Sequence, residues 1–347
     1  MNPIQLHLGV LLFFTLFFAG CTSVDQEDAS NFFLRGNIQL SQRNYEEAIR
    51  LYDEAIAKYP DLTDAYLNKG IALLELDRTQ AAYEVLSVAI EREGDDASGP
   101  AYLTRAEAAL RLGDTETATS DLAKITQAYR DSAQYFLIHG NLMVAKSNAA
   151  EALSDYDRAL RLRPAFEEAL VNRGALYFEQ KAYTNAEADF LKALQIAPNQ
   201  PQALNNMGLL ESRRENWAKA LGYFEQALAL NPADPLALNN KGYALLRTGK
   251  AEEAFRLVSR SLSLQPENGY ALRNLGIYYL QSGKLAEAIA QFDQAMKLAQ
   301  PVEELYGWAG RAYQSQGQLD RACGIWQKGT LLDDPLAKQQ YAALCQR

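Results

Sequence analysis

The sequence predicts an all-α fold, an array of nine helix–turn–helix repeats closed by a C-terminal helix. Three observations predict it. Glycines at Gly36, Gly70, Gly140, Gly174, Gly208, Gly242, Gly276 and Gly310 recur every 34 residues, apart from the step across Ala106, where 36 precedes 34. Alanine stands twelve residues after each of these nine positions, at Ala48, Ala82, Ala118, Ala152, Ala186, Ala220, Ala254, Ala288 and Ala322. The chain is rich in Ala, Leu, Glu, Gln, Arg and Lys and thin in Val, Ile and Thr, so helix propensity is high almost throughout. Self-similarity at such a period marks stacked repeats rather than ordinary globular domains.

Each repeat reads as two helices. The recurrent Gly falls mid-way along the first helix and the Ala near the start of the second. A further small residue follows seven positions later at Ala55, Ala89, Ala159, Ala193, Ala227, Ser261, Ala295 and Gly329, with Ile125 in the third repeat. Small residues facing each other let antiparallel helices approach closely. Large residues fill the rest of the interface. Tyr52, Leu86, Leu122, Tyr156, Phe190, Phe224, Val258, Phe292 and Trp326 share one offset in the second helix. Phe32, Tyr66, Tyr102, Phe136, Leu170, Leu204, Leu238, Leu272 and Tyr306 share one at the start of the first. Pro60, Pro164, Pro198, Pro232 and Pro266 close second helices, since proline lacks the N–H that would continue them.

This register places the repeats at 29–62, 63–98, 99–132, 133–166, 167–200, 201–234, 235–268, 269–302 and 303–336. Repeats three and four depart furthest from it. Ala106 replaces the Gly, Arg130 replaces the closing Pro, and EREGDDASGP at 91–100 holds the two-residue insertion, so a bend or looser packing is expected there. Residues 337–347 are expected to form a solvating cap helix over the last exposed core face.

Residues 1–20 read as a signal peptide. Leu8 to Gly20 is a thirteen-residue apolar run, too short to span a hydrocarbon core of about 20 residues but the length of a signal h-region. It ends in Ala19-Gly20-Cys21. The stretch Phe17-Phe18-Ala19-Gly20-Cys21 resembles a bacterial lipobox, which implies lipidation of Cys21 after cleavage. Phe18 stands where Leu, Val or Ile is usual, and the n-region MNPIQLH has no Lys or Arg. The other reading of the same run is an ordinary cleaved signal or an uncleaved anchor, with Cys21 incidental. If Cys21 is acylated, Thr22 at the next position implies sorting to the outer membrane facing the periplasm. Residues 21–28 are expected to be a tether, its seven residues after Cys21 reaching roughly 25 Å.

The repeat positions resemble the tetratricopeptide pattern over residues 29–336. ALVNRGALYFEQKAYTNAEADFLKALQIAPNQ and YALRNLGIYYLQSGKLAEAIAQFDQAMKLA lie close to its consensus. The resemblance implies a right-handed superhelical solenoid whose concave wall is built by the first helices and binds proteins. Offsets five and six, which face such grooves, carry Asn68, Asn172, Asn205, Asn206, Asn239, Asn240 and Asn274. A ladder of amides suits an extended peptide, because each can donate to and accept from one backbone unit. Asn at offset six is also common in such repeats without any ligand. Tyr243, Tyr270, Arg273, Trp308 and Arg311 surround the ladder with residue types enriched at binding hot spots. The carboxylate clamp of chaperone-binding repeats is absent. Asn37 with Asn68, and Asn141 with Asn172, supply its asparagines, but Phe33 and Leu137 stand where it needs lysine.

Chemistry is sparse. The net charge is −9 with no Lys/Arg cluster, which argues against nucleic-acid binding. His7 and His139 are the two histidines, so after signal removal no His pair remains for zinc, and no Gly-rich phosphate loop occurs. No metal, cofactor or catalytic residue is expected. His139 precedes a repeat Gly, where other repeats have Arg105 or Arg173, and an Asp follows sixteen residues later in each case. Interhelical pairs Arg105–Asp121, His139–Asp155 and Arg173–Asp189 are therefore expected. Cys323 and Cys345 allow two readings, a disulfide staple on the cap or two separate buried thiols.

The expected function is a membrane-tethered scaffold for assembling a cell-envelope complex, serving a pilus, secretion, polysaccharide export or peptidoglycan machinery. The alternative is a carbohydrate-binding or accessory subunit of such a complex, with Trp308, Tyr243 and Tyr270 stacking on sugars.

Overall fold

A computed structural model of the chain describes residues 24–94, 98–298 and 301–346. The expected signal peptide and Cys21 lie outside the described residues, as does the middle of the 91–100 insertion. Every regular element among the described residues is a helix.

The helices fall in pairs, one pair per repeat. Repeats one to four hold α1 (24–41) and α2 (Tyr45–Lys58), α3 (Thr63–Glu75) and α4 (Thr79–Glu93), α5 (Gly99–Arg111) and α6 (Thr115–Ile125), and α7 (Ala133–Ala145) and α8 (Ala149–Leu162). Repeats five to nine hold α9 (Glu167–Glu179) and α10 (Tyr183–Ile196), α11 (Pro201–Arg213) and α12 (Trp217–Leu230), α13 (Pro235–Arg247) and α14 (Ala251–Leu264), α15 (Gly269–Gln281) and α16 (Leu285–Lys297), and α17 (Leu305–Ser315) and α18 (Leu319–Leu331). The last helix is α19 (Pro335–Leu344). The chain divides into two compact units, one up to Ala169 and one from Leu170 onward.

The same core builds both units. All nine large residues of the second helix are at most 2% exposed, and all nine alanines are fully buried. In the first unit a Cβ added to Gly36 would lie 2.6 Å from a ring carbon of Tyr52. In the second, a Cβ added to Gly174 would lie 2.6 Å from Phe190. The large side chain thus rests directly on the glycine backbone, which is why size and absence of size recur together. Repeat three solves the contact differently, with Ala106 facing a smaller Leu122 and both buried. Its α6 is also short, 11 residues where α2 and α8 have 14.

The turn inside every repeat is set by one left-handed residue: Arg43, Asp77, Gly113, Ser147, Lys181, Glu215, Gly249, Gly283 and Gly317, with φ between 58° and 81°. The next N–H reaches back to close the first helix, as Arg78 N to Leu73 O at 2.9 Å and Asn216 N to Glu211 O at 2.9 Å. This is the Schellman closure, which satisfies carbonyls that the helix end leaves open.

Both ends differ in detail from expectation. The stretch expected as a tether is helical from residue 24, and Lys58 Nζ lies 3.5 Å from both Asp25 and Asp28. These paired charges hold α1 to the end of α2, so residues 24–28 belong to the first repeat's helix and not to a coil. The cap helix begins at Pro335, two residues before the expected boundary. Asp334 explains it. One carboxylate oxygen accepts from Ala337 N at 2.9 Å as the N-cap, and the other accepts from Gly307 N at 3.0 Å, which docks α19 onto α17. The structure joins Cys323 of α18 to Cys345 just after α19 in a disulfide, with Cα atoms 5.7 Å apart.

The three interhelical pairs form. Arg105 makes a two-pronged pair with Asp121 at 2.8 and 2.7 Å, and Arg173 does the same with Asp189 at 2.8 and 2.6 Å. His139 Nδ1 lies 2.6 Å from Asp155 Oδ2. That hydrogen bond raises the His139 pKa above its usual 6.5, outweighing burial, which lowers it. Lys69 and Lys241 at the same offset reach backwards instead, to Asp53 at 2.5 Å and Glu225 at 3.1 Å of the preceding repeat.

Candidate functional site

In the second unit the first helices line a cavity of about 570 Å³. Its walls carry Phe178 of α9, Asn205, Asn206 and Arg213 of α11, Trp217 of α12, Asn239, Asn240, Tyr243 and Arg247 of α13, and Tyr270, Arg273 and Asn274 of α15. Asn268, Glu303 and Glu304 complete one end. The mixture of aromatic faces with a few converging polar groups is the usual make-up of a ligand cleft.

The asparagines are not the independent amides expected from the sequence. They form a relay. Arg273 Nε and Nη2 donate to Asn274 Oδ1 at 3.1 and 2.9 Å, and Asn274 Nδ2 donates to Asn239 Oδ1 at 2.7 Å. Asn239 Nδ2 donates to Asn240 Oδ1 at 3.3 Å, and Asn240 Nδ2 donates to Asn205 Oδ1 at 3.0 Å. Offset six of one repeat thus binds offset five of the repeat before it. The buried members satisfy one another: Asn274 is fully buried, while Asn239 and Asn205 are 3% and 8% exposed. Asn206 and Asn240 are only half-buried and face the cleft. The pattern changes in the first unit, where Asn68 Nδ2 donates to Asn37 Oδ1 at 2.8 Å and Tyr52 OH donates to the same oxygen at 2.8 Å. Asn172 is half-buried on α9.

Arg273 sits between two tyrosines, its Cζ 4.9 Å from the Tyr243 ring centre and 5.2 Å from that of Tyr270. Its Nη1 donates to the Glu303 carbonyl at 2.7 Å. Arg247 donates to Tyr243 OH at 3.0 Å and stands over Trp217 at 5.0 Å. Arg213 and Glu303, 90 residues apart in sequence, form a two-pronged ion pair that ties repeat six to repeat nine. The Arg213 hydrogen bond holds the Glu303 carboxyl below the usual glutamate range.

Trp308 and Arg311 do not line the cavity. They pair with each other on α17, Arg311 Cζ lying 4.8 Å from the Trp308 ring. Arg213, Trp217, Arg247, Asn268 and Glu303 are lining residues that the sequence reading missed. Arg213 and Arg247 carried a usable signal, since both occupy offset thirteen. Among the described residues no group of three or more His, Cys, Asp or Glu is placed to hold a metal, and no helix is long and apolar enough to cross a membrane.

Comparison with known proteins agrees with this architecture. Tetratricopeptide-repeat family models match residues 33–98, 99–120, 165–233, 235–300 and 273–334. Tetratricopeptide repeat protein 13 of Homo sapiens is 29% identical over 141 residues, which are 39% of this chain and 16% of that protein. The chain spans 16–27% of the length of the curated relatives it matches. Among solved structures, the Cut9–Hcn1 hetero-tetramer of the APC/C is similar over 92% of this chain and 76% of its own, at 14% identity and a TM-score of 0.67. PilW, titled a widely conserved type IV pilus biogenesis factor, is similar over 60% of this chain and 97% of its own, at 22% identity and a TM-score of 0.50. The repeat offsets, the helix pairs and these matches lead to one conclusion: the chain belongs to the tetratricopeptide-repeat family.

Proposed function

We propose that the chain is a protein-binding scaffold of the bacterial cell envelope, held at a membrane through Cys21, and that it grips an extended segment of a partner in the second unit's groove. The observation that carries the groove reading is the cavity's lining. Half-buried Asn206 and Asn240 alternate with Trp217, Tyr243 and Tyr270, a pairing of amide and aromatic groups that suits a peptide backbone and its side chains. The apolar run ending at Ala19-Gly20-Cys21 supports the membrane anchor and an outer-membrane, periplasm-facing location. Assembly of a pilus, a secretion channel, a polysaccharide exporter or a peptidoglycan machine all fit such a scaffold, and the likeness to the pilus biogenesis factor PilW makes the pilus the first machine to test. No catalytic role is proposed.

The carbohydrate alternative draws less support, since Tyr243 and Tyr270 turn their rings to the Arg273 cation and Trp308 lies outside the groove. Photo-crosslinkers placed in the full-length chain at Asn206 and at exposed Gln226 provide the test. A defined partner should crosslink from Asn206, should not from Gln226, and should be lost on Trp217→Ala. Equal crosslinking from both positions, or glycan binding without a protein partner, would overturn the reading. Loss of palmitate labelling in Cys21→Ser tests the anchor.

A further inference from the structure

We propose that the groove selects its peptide by one acidic side chain, seated against Arg273 and Asn268. This rests on the groove reading above and adds the chemistry of its anchor. Arg273 is only 6% exposed, yet its guanidinium makes three hydrogen bonds to just two acceptors, the Asn274 amide oxygen, used twice, and the Glu303 main-chain carbonyl, both neutral. A guanidinium has five N–H donors, so two remain. Among the described residues no carboxylate lies within 4.0 Å of it. The other two arginines of the same cavity differ, for Arg213 is paired with Glu303 and Arg247 lies 3.7 Å from Glu215. The remaining acid at that end is also occupied, Glu304 accepting from Trp308 Nε1 at 3.4 Å. The Glu303 carboxylate acts on Arg273 only at longer range and is itself bonded to Arg213. This desolvated cation therefore touches only neutral oxygens and two aromatic rings and has no contacting counter-charge.

A second, independent observation points the same way. Asn268 lines this cavity, is 5% exposed, and its Nδ2 is buried with no acceptor. The amide cannot turn to relieve this, because its Oδ1 is the N-cap of α15, accepting from Ala271 N at 3.1 Å. Two spare guanidinium donors and one orphaned amide donor belong to residues that line the same cavity from α15 and its N-cap, and a carboxylate is the peptide group that accepts without donating. The Tyr243 and Tyr270 rings, 4.9 and 5.2 Å from the Arg273 guanidinium carbon, limit the fork's freedom, which favours a two-pronged bond to a carboxylate. The cavity continues past Arg273 toward α9, which suits a side chain on a strand running through it.

The test uses the immobilised full-length chain and a pool of random decapeptides, acetylated and amidated so that no terminal charge remains. Retained peptides should be enriched for Asp or Glu at one position, and Glu→Gln at that position should weaken binding about tenfold or more. Asn268→Asp keeps the capping oxygen and replaces the donor with a negative acceptor. It should not lower the unfolding midpoint and should abolish the preference for Glu over Gln, and Arg273→Gln should abolish that preference too. If the pool yields no binder at all, the groove reading fails and this inference with it. Binders without acid enrichment, or an unchanged preference in Asn268→Asp, would overturn the acid anchor alone. Enrichment of free C-terminal acids in an unamidated pool, with none in the amidated one, would replace the side chain by a chain terminus and overturn the proposal as stated.

Discussion

Gly276→Ala probes the contact on which every repeat depends. The new methyl would meet Phe292 at 2.5 Å from Cε1 and 2.8 Å from Cδ1 and Cζ, against a ring that is fully buried. With three ring atoms closer than 3.0 Å, the overpacking cost falls in the upper part of the usual range, about 2–3 kcal/mol. Replacing Gly by Ala inside a helix returns about 1 kcal/mol of propensity. The net expectation is a loss of roughly 1–2 kcal/mol, the difference of those two effects. Phe292→Leu alone should cost a similar amount, roughly 1–2 kcal/mol, through lost packing. Combined, the two should cost less than their sum, because the leucine removes the clash while the alanine keeps its propensity. Repeat three already carries that pairing in Ala106 and Leu122, both buried. Urea unfolding followed by circular dichroism measures the four species, with hydrogen exchange across α15 and α16 reporting whether the loss is local, since repeat arrays need not unfold as one unit. A Gly276→Ala protein as stable as the parent, or strict additivity in the double variant, would refute this account of the repeat core.

Three other perturbations separate the remaining forces. Lys181→Gly and Glu215→Gly, at left-handed positions with φ of 61° and 58°, should each stabilise by up to about 1 kcal/mol, whereas Gly249→Ala at φ 79° should destabilise; thermal unfolding decides. Cys345→Ser should cost about 3 kcal/mol under oxidising conditions through release of a 22-residue loop, and the parent in reductant should then match it in urea unfolding. His139 has its folded pKa raised above 6.5 by Asp155, so its contribution is fully present below the unfolded value and fades as pH rises through the folded one. Stability of the parent should therefore fall above pH 6.5 relative to Asp155→Asn, and an NMR titration placing His139 at or below 6.5 would contradict the pairing.

The fold was legible because its determinants are spaced in sequence. Gly36 and Tyr52, like Gly276 and Phe292, are 16 residues apart and pack together, so one offset predicts one contact eight times over. The same logic placed Arg105 on Asp121. A further period went unread: Gly113, Gly249, Gly283 and Gly317 share the left-handed turn position, but the five other repeats fill it with Arg, Asp, Ser, Lys or Glu, which hides it. The groove was only half legible. Offsets indicate which residues face inward, and Asn206, Asn240, Tyr243 and Arg273 do line the cavity. They do not reveal pairing between non-neighbouring repeats, such as Arg213 with Glu303, nor that the asparagines would bind each other before any ligand. Those depend on the rotation between successive repeats, which no local pattern encodes.

The relay from Arg273 to Asn205 gives the groove floor a compass heading. Because a guanidinium can only donate, Asn274 must turn its oxygen toward Arg273 and its nitrogen toward Asn239. That choice propagates through Asn240 to Asn205, so four amides share one of two orientations and the cation selects which. Turning Asn274, Asn239 or Asn240 round would break bonds on both sides. A strand laid along this floor runs above amides whose donor-to-acceptor order has one sense, from Arg273 to Asn205, and its two directions of travel are not equivalent. The repeats therefore form a vector as well as a surface, and the heading is set by a single side chain at one end.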